Sequence, residues 1–179
     1  MVWIGLMKTL ILGGARSGKS ALAERLAREN AKEVTYIATA QALDGEMAGR
    51  IAHHRARRPT AWACIEEPLA LGAVLRAHAS TGRLLLVDCL TLWLSNALGI
   101  DDGTHFDREH AALLAAVNDV PHDIVFVSNE VGLGITPMGE LTRRFVDEAG
   151  RLHQSLAAAC ERVVFVAAGL PLVMKGTLP

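Results

Sequence analysis

The chain predicts an α/β fold: three layers, with a mostly parallel central sheet between helices. Two observations carry this expectation. Short apolar runs alternate with longer helical patterns along the 179 residues, and that alternation is the mark of strands joined by crossover helices. The runs are also nearly continuous in Val, Leu and Ile, as strands covered on both faces require.

In order, the first strand is expected at Lys8–Leu12, ending in Leu10, Ile11 and Leu12. Ala21–Arg28 reads as helical, giving a helix over Lys19–Glu29. A strand at Val34–Ala38 and a helix at Gly45–Arg57 follow, then a weaker strand at Trp62–Ile65. Pro68 suits a first helical turn, so the next helix is predicted over Pro68–Ala79. Leu84–Asp88 is the most apolar strand, followed by a helix at Leu90–Leu98 and an exposed loop at Gly99–Thr104. The remainder reads as a helix at Phe106–Val117, a strand at Ile124–Asn129, a helix at Gly139–Ala159 and a strand at Val163–Ala167. Ligands of such folds sit beyond the carboxyl ends of the strands.

With no repeat, low-complexity tract or linker, residues 1–179 read as a single domain, long enough for a full hydrophobic core. Hydrophobic content of 51% with 21% charged residues suits a well-packed soluble protein. A formal net charge of −1 argues against a general nucleic-acid surface. Cys64, Cys89 and Cys160 are widely spaced and odd in number, which suggests reduced thiols rather than a disulfide or zinc framework. Met1–Met7 is short and lacks a basic leader, and no run reaches membrane-spanning length, so a cytoplasmic protein without a membrane span is expected.

The segment from Gly13 to Ser20 (Gly13, Gly14, Ala15, Arg16, Ser17, Gly18, Lys19, Ser20) fits G-x-x-x-x-G-K-[ST] between the first strand and the first helix. That context distinguishes a phosphate-binding loop from a glycine-rich turn. Its glycines allow backbone N–H groups to face phosphate oxygens, and the helix beginning near Lys19 adds its positive dipole end. Lys19 is expected on the terminal phosphates and Ser20 on Mg²⁺. On the alternating pattern, this loop predicts a P-loop NTPase fold of the RecA-like kind that binds a nucleoside triphosphate.

Asp88 ends a buried strand, as an acid that holds Mg²⁺ or its waters should. The competing role is a helix N-cap for Leu90–Leu98. In the basic helix, Arg50, His54, Arg57 and Arg58 fall at i, i+4, i+7 and i+8 on one face, with Met47 and Ile51 on a neighbouring apolar face. His53 lies at the margin of this stripe. Surrounding arginines penalise the imidazolium, and a neutral imidazole among phosphate-binding cations is suited to attack at phosphorus. The plainer reading is a solvated basic face. The adjacent histidines lack partners at zinc spacing.

These segments together resemble the bifunctional adenosylcobinamide kinase / adenosylcobinamide-phosphate guanylyltransferases of cobalamin biosynthesis. Besides Gly13–Ser20, the matching pieces are Tyr36–Gln41, Arg50–Arg55 with Arg58 and Pro59, Leu86–Thr91, Val127–Ile135 and Ala149–Ala157. They run in order over nearly the whole chain. The resemblance implies phosphorylation of adenosylcobinamide from ATP or GTP. It then implies transfer of GMP from GTP, through a guanylyl-histidine, to adenosylcobinamide phosphate, giving adenosylcobinamide-GDP. The family's histidine falls on His53 or His54, and the stripe favours His54. Its nucleotide contacts fall on the phosphate loop, Ala38, Thr39, Ala40, Arg55, Ala56, Arg57, Arg58, Glu66 and Asp88. Glu66 can also accept hydrogen bonds from guanine N–H donors, although it could equally be an exposed acid. The resemblance further implies a homotrimer.

Asp88 and Glu130 are both candidates for a kinase base, and Glu130 could instead brace a loop. Trp3, Trp62 and Trp93 read as packing residues. His105, His110, His122 and His153 have no constellation in sequence, and Arg143, Arg144 and Arg151 read as a solvated or subunit-facing surface. The alternatives are a P-loop small-molecule kinase without guanylyltransferase activity and a non-catalytic nucleotide-dependent switch. Neither requires a histidine among phosphate-binding arginines.

Overall fold

The computed structural model describes residues 7–42, 45–80, 82–100 and 104–178. The side chains at positions 46, 47, 50, 53, 54 and 57 lie outside that description, as does Trp3. The elements are β1 (Lys8–Gly13), α1 (Lys19–Glu29), β2 (Glu33–Ala38), α2 (Gly45–Arg57), β3 (Ala63–Glu66), α3 (Leu71–Ala77), β4 (Arg83–Asp88), α4 (Leu90–Leu98), α5 (Thr104–Asp119), β5 (Asp123–Asn129), α6 (Glu140–Ala159), β6 (Arg162–Ala167) and β7 (Leu170–Lys175). The strands form one sheet in the order β3-β2-β4-β5-β1-β6-β7. Every pairing from β3 to β6 is parallel; β7 alone runs antiparallel, on β6.

The side-chain alternation of the strands divides the core in two. Ile11, Leu84, Leu86, Val125, Val127 and Val164 pack against Leu22, Ala23, Leu26 and Ala27 of α1. Leu10, Leu12, Leu85, Val87, Ile124 and Phe126 face the other way and meet side chains of α3, α4, α5 and α6, with Trp93 and Phe106 fully enclosed. Both faces of the central strands are therefore covered, which explains their unbroken apolar sequences.

α5 begins at Thr104, inside the expected loop, and runs two residues past Val117, while two other elements depart further from the sequence expectation. α3 begins at Leu71 rather than Pro68, because the Glu67 carboxylate accepts the N–H groups of Leu69 and Ala70 at 2.8 Å each and holds that stretch as a turn. β7 was not anticipated. It follows a two-residue turn in which Ala168 and Gly169 both have positive φ (53° and 78°), the geometry that matches the twist of an antiparallel hairpin. Pro171 is tolerated there because β7 is the sheet edge. Lys175 Nζ ties the strand to α6 by donating to the carbonyls of Ala157 and Ala158, at the negative end of that helix.

This hairpin supports the loop between β1 and α1. Gly169 N–H donates to the Ser17 carbonyl at 2.8 Å. A Cβ on Gly18 would stand 3.1 Å from Gly169 Cα, and Gly18 has φ +99°. A Cβ on Gly13 would lie 2.4 Å from the Val166 carbonyl oxygen. Both positions thus require glycine, one for its backbone conformation and one for close approach.

Candidate nucleotide site

The loop from Gly13 to Ser20 lies at the carboxyl end of β1, and α1 begins immediately after it. The N-cap of α1 is Gly18, which supplies no side-chain hydrogen bond, and the first turn contains no acid. The first N–H groups of the helix are thus left for an external acceptor, where the dipole favours an anion. Lys19 is buried, 8% exposed, and Nζ donates to the Gly14 carbonyl at 3.0 Å, so the ammonium folds back over the loop. Burial lowers its pKa, while the charges of Cys89 and Asp88 act in the opposite direction. Ser17 Oγ is buried with no hydrogen-bond partner among the described residues. Ala15 and Arg16 are exposed, and Arg16 adopts a left-handed conformation with φ 55°.

Asp88 ends β4, two strands from β1 with β5 between them. The N-cap of α4 is Cys89, so Asp88 is not spent on capping. Its Oδ2 instead accepts the Tyr36 hydroxyl at 2.9 Å. The turn behind it is clamped by Thr39. That buried hydroxyl donates to the Cys89 carbonyl at 2.7 Å and accepts the Cys89 N–H at 2.9 Å, and Thr39 N–H donates to the Asp88 carbonyl. Asn96 fixes Thr39 in turn, donating to its carbonyl at 2.9 Å. Of the Ala38, Thr39 and Ala40 trio, the threonine side chain is thus committed to the Asp88–Cys89 turn, with Ala38 and Ala40 half-buried beside it.

A second part of the site opens beyond β2 and β3. Tyr36, Arg55, Arg58, Trp62, Cys64 and Glu66 line a cleft of about 450 Å³. Arg55 pairs with Glu66 across it, the guanidinium of Arg58 lies 4.0 Å above the Tyr36 ring, and Arg58 Nη1 donates to Cys64 Sγ at 3.0 Å. Ala56 is exposed on α2. The backbone of α2 is helical through position 57, so Arg58, the last member of the expected stripe, lies one residue past the helix end, and the side chains of Arg50, His53, His54 and Arg57 are outside the described residues.

The residues present fit a magnesium ion shared with phosphate. Asp88 Oδ1 and the Ser20 hydroxyl make no hydrogen bond among the described residues. No cluster of three His, Cys, Asp or Glu among those residues could hold a metal by itself. One carboxylate and one hydroxyl, completed by phosphate and water, is a usual arrangement for Mg²⁺.

Sequence reasoning missed two buried groups. Tyr36 lies inside an apolar strand, and nothing local marks it as the partner of Asp88. His153, expected to stand alone, belongs to a constellation after all: its Nε2 is 2.8 Å from Ser128 Oγ and its Nδ1 is 3.4 Å from Glu130 Oε2. Glu130 also accepts the Gly132 N–H, so its carboxylate braces the start of the β5–α6 loop.

A phosphate cradle on β1, an acid on β4 and an interposed β5 define a P-loop nucleotide-binding protein. Solved structures agree on the fold. The RadB recombinase superposes with a TM-score of 0.53 at 18% identity, covering 89% of this chain and 73% of that one. A type III secretion ATPase gives 0.56 at 14% identity, covering 93% of this chain and 56% of the other. Sequence comparison is more specific. Residues 9–174 match the family of cobinamide kinase / cobinamide phosphate guanyltransferase. The bifunctional adenosylcobalamin biosynthesis protein CobP of Pseudomonas aeruginosa is 63% identical over 170 residues, 95% of this chain and 98% of that protein. CobU of Escherichia coli, also a bifunctional adenosylcobalamin biosynthesis protein, is 40% identical over 182 residues, 94% and 100% of the two chains. The chain belongs to the cobinamide kinase / cobinamide phosphate guanyltransferase family. No helix among the described residues is long and apolar enough to cross a membrane.

Proposed function

We propose that the chain is a bifunctional enzyme performing two transfers at one nucleotide site. It phosphorylates adenosylcobinamide from ATP or GTP, and it moves GMP from GTP through a histidine to adenosylcobinamide phosphate. The observation that carries this reading is the pairing of an uncapped α1 N-terminus and buried Lys19 with a basic cleft holding Arg55, Arg58 and Glu66. A plain kinase or nucleotide switch requires only the first half.

In the kinase step, the N–H groups from Gly14 to Ser20 and the Lys19 ammonium hold the β- and γ-phosphates. The acceptor hydroxyl attacks the γ-phosphorus as the bond to the diphosphate breaks, and its proton passes to an oxygen of the transferred phosphoryl group. Positioning and charge neutralisation supply most of the rate. Glu130 accepts the Gly132 N–H and faces His153 Nδ1 at 3.4 Å. Its role here is to brace the loop. Asp88 and Ser20 would hold Mg²⁺, which when bound would offset charge on the leaving phosphates.

In the transfer step, an imidazole nitrogen of His54 forms a bond to the α-phosphorus as pyrophosphate leaves. The phosphate oxygen of the acceptor then displaces the imidazole and restores it. Arg55, Arg57 and Arg58 offset charge on the α-phosphate, and Glu66 accepts guanine N–H donors. The assignment to His54 rests on the Arg50/His54/Arg58 stripe and the family resemblance. We place these activities in one domain spanning residues 1–179, in a cytoplasmic homotrimer. The exposed apolar side chains of β7 support self-association.

Incubation with α-labelled GTP followed by denaturation tests this proposal. An acid-labile, alkali-stable label on the wild type, absent from His54→Ala, is the expected result. Label lost only in His53→Ala would move the nucleophile by one residue. An unlabelled protein that still phosphorylates would be a plain kinase.

A further inference from the structure

We infer that Tyr36 is a positioning residue which ties the Arg55/Arg58/Glu66 cleft to the metal-binding acid Asp88. The inference rests on the reading of Asp88 as a magnesium-binding residue. Tyr36 belongs to β2 and pairs with Cys64 on β3 and Leu86 on β4, so its side chain reaches from the wall of the cleft to the end of the next strand. The residue is 4% exposed. One end of the side chain, the hydroxyl, donates to Asp88 Oδ2; the other, the ring face, carries the Arg58 guanidinium at 4.0 Å.

The consequence for Asp88 is asymmetric. With Oδ2 accepting the Tyr36 hydroxyl, the carboxylate has one preferred rotamer, which leaves Oδ1 as the oxygen with no hydrogen bond among the described residues. A second partner that fixes a metal-binding carboxylate is the general way proteins orient such groups. Without the hydroxyl, Asp88 loses the hydrogen bond that fixes its carboxylate. The cation–π contact supplies the other half of the tie. An anion or base entering the cleft and pulling on Arg58 acts on the Tyr36 ring, which is attached through its hydroxyl to the acid. The element that carries the proposed guanylylated histidine ends at Arg57, one residue before Arg58.

Titration calorimetry of GTP binding, with and without Mg²⁺, reads this directly as a ratio of two affinities. Wild type is expected to bind more tightly with Mg²⁺. Tyr36→Phe keeps the ring and removes the hydroxyl, and should shrink that ratio on the order of tenfold, the usual lower cost of losing a partner to a metal-binding group. Asp88→Asn should abolish the ratio, and the double variant should be no worse than Asp88→Asn alone. If Asp88→Asn retains the full Mg²⁺ effect, the magnesium reading of Asp88 fails and the inference falls with it. If Asp88→Asn loses the effect while Tyr36→Phe keeps it, the role of Tyr36 alone is overturned. Equal loss of affinity with and without Mg²⁺ in Tyr36→Phe, accompanied by a lower melting temperature, would show a packing role and also overturn it.

Discussion

Ser128 Oγ lies 2.8 Å from His153 Nε2 in a region closed to solvent, Ser128 being 1% exposed. Thr91 Oγ1 is 3.2 Å from the serine on its other side and accepts the Asn129 N–H at 2.7 Å. One tautomer satisfies the chain: Thr91 donates to Ser128, Ser128 to Nε2, and Nδ1–H points to Glu130. A serine, histidine and glutamate in this order resemble a hydrolytic triad, but no substrate can reach the buried hydroxyl. The network instead joins α4, β5 and α6 behind the phosphate loop, where Glu130 N–H also donates to the Gly13 carbonyl at 3.0 Å.

Burial lowers the His153 pKa despite the opposing charge of Glu130. The unfolded histidine takes up a proton near pH 6.5. Its contribution is therefore complete above that pH and is lost as pH falls from there through the folded pKa, by at most about 1.4 kcal/mol per pH unit. His110 is shifted in the same direction and adds to the slope. Urea unfolding at pH 7.5 and 5.5 should show a flatter pH dependence for His153→Gln than for wild type. His153→Ala should cost about 1–3 kcal/mol at the higher pH, since it removes the acceptor of the buried Ser128 hydroxyl and leaves only Thr91 beside it.

Lys19 illustrates the opposite case, a buried ammonium with no ion pair among the described residues. It sits at the first position of α1, where the dipole opposes a cation, and its ammonium donates to the Gly14 carbonyl. Lys19→Met should preserve or raise the melting temperature while lowering both phosphorylation and guanylylation on the order of a hundredfold, the scale for losing one stabiliser of transition-state charge. Guanylylation at the wild-type rate would mean that the two reactions do not share a triphosphate site.

The parallel part of the fold was legible because burial on both faces leaves an apolar run bounded by polar residues. β1, β2, β4, β5 and β6 consequently fall within a residue of their expected limits. The phosphate loop was legible because backbone geometry dictates its glycines. β7 was hidden, since an exposed edge strand has no periodic burial and its turn uses Ala168 and Gly169 rather than an Asn-Gly pair. Tyr36 and His153 were hidden for another reason. Their partners Asp88, Ser128 and Glu130 are distant or on other elements, and only the strand order brings them together.

β7 exposes Leu170, Leu172 and Met174, each more than half accessible, along an edge with open backbone groups. Proteins normally protect such an edge with charge or a partner. Leu172→Lys should leave the monomer fold unchanged by circular dichroism and shift sedimentation toward smaller species. A wild type that sediments as a monomer at every concentration would remove the basis for assembly through β7.

Glu66 tests the proposal that the cleft takes a guanine base. Its carboxylate is exposed and pairs with Arg55, so it can exchange that partner for guanine N–H donors without leaving a buried charge behind. Adenine offers an acceptor where guanine offers N1–H, so a carboxylate discriminates between them through hydrogen bonds that one purine cannot make. Glu66→Gln keeps the size but adds a donor of its own. Covalent labelling with α-labelled GTP should fall at least about tenfold, with little change in ATP-supported phosphorylation, since a site built to pair a polar group rejects mismatched partners by large factors. Equal losses in both assays would place Glu66 in the support of α2 through Arg55 rather than against the base. The double variant Arg55→Ala with Glu66→Gln separates the cases: if Glu66 acts only through Arg55, the double variant is no worse than Arg55→Ala alone.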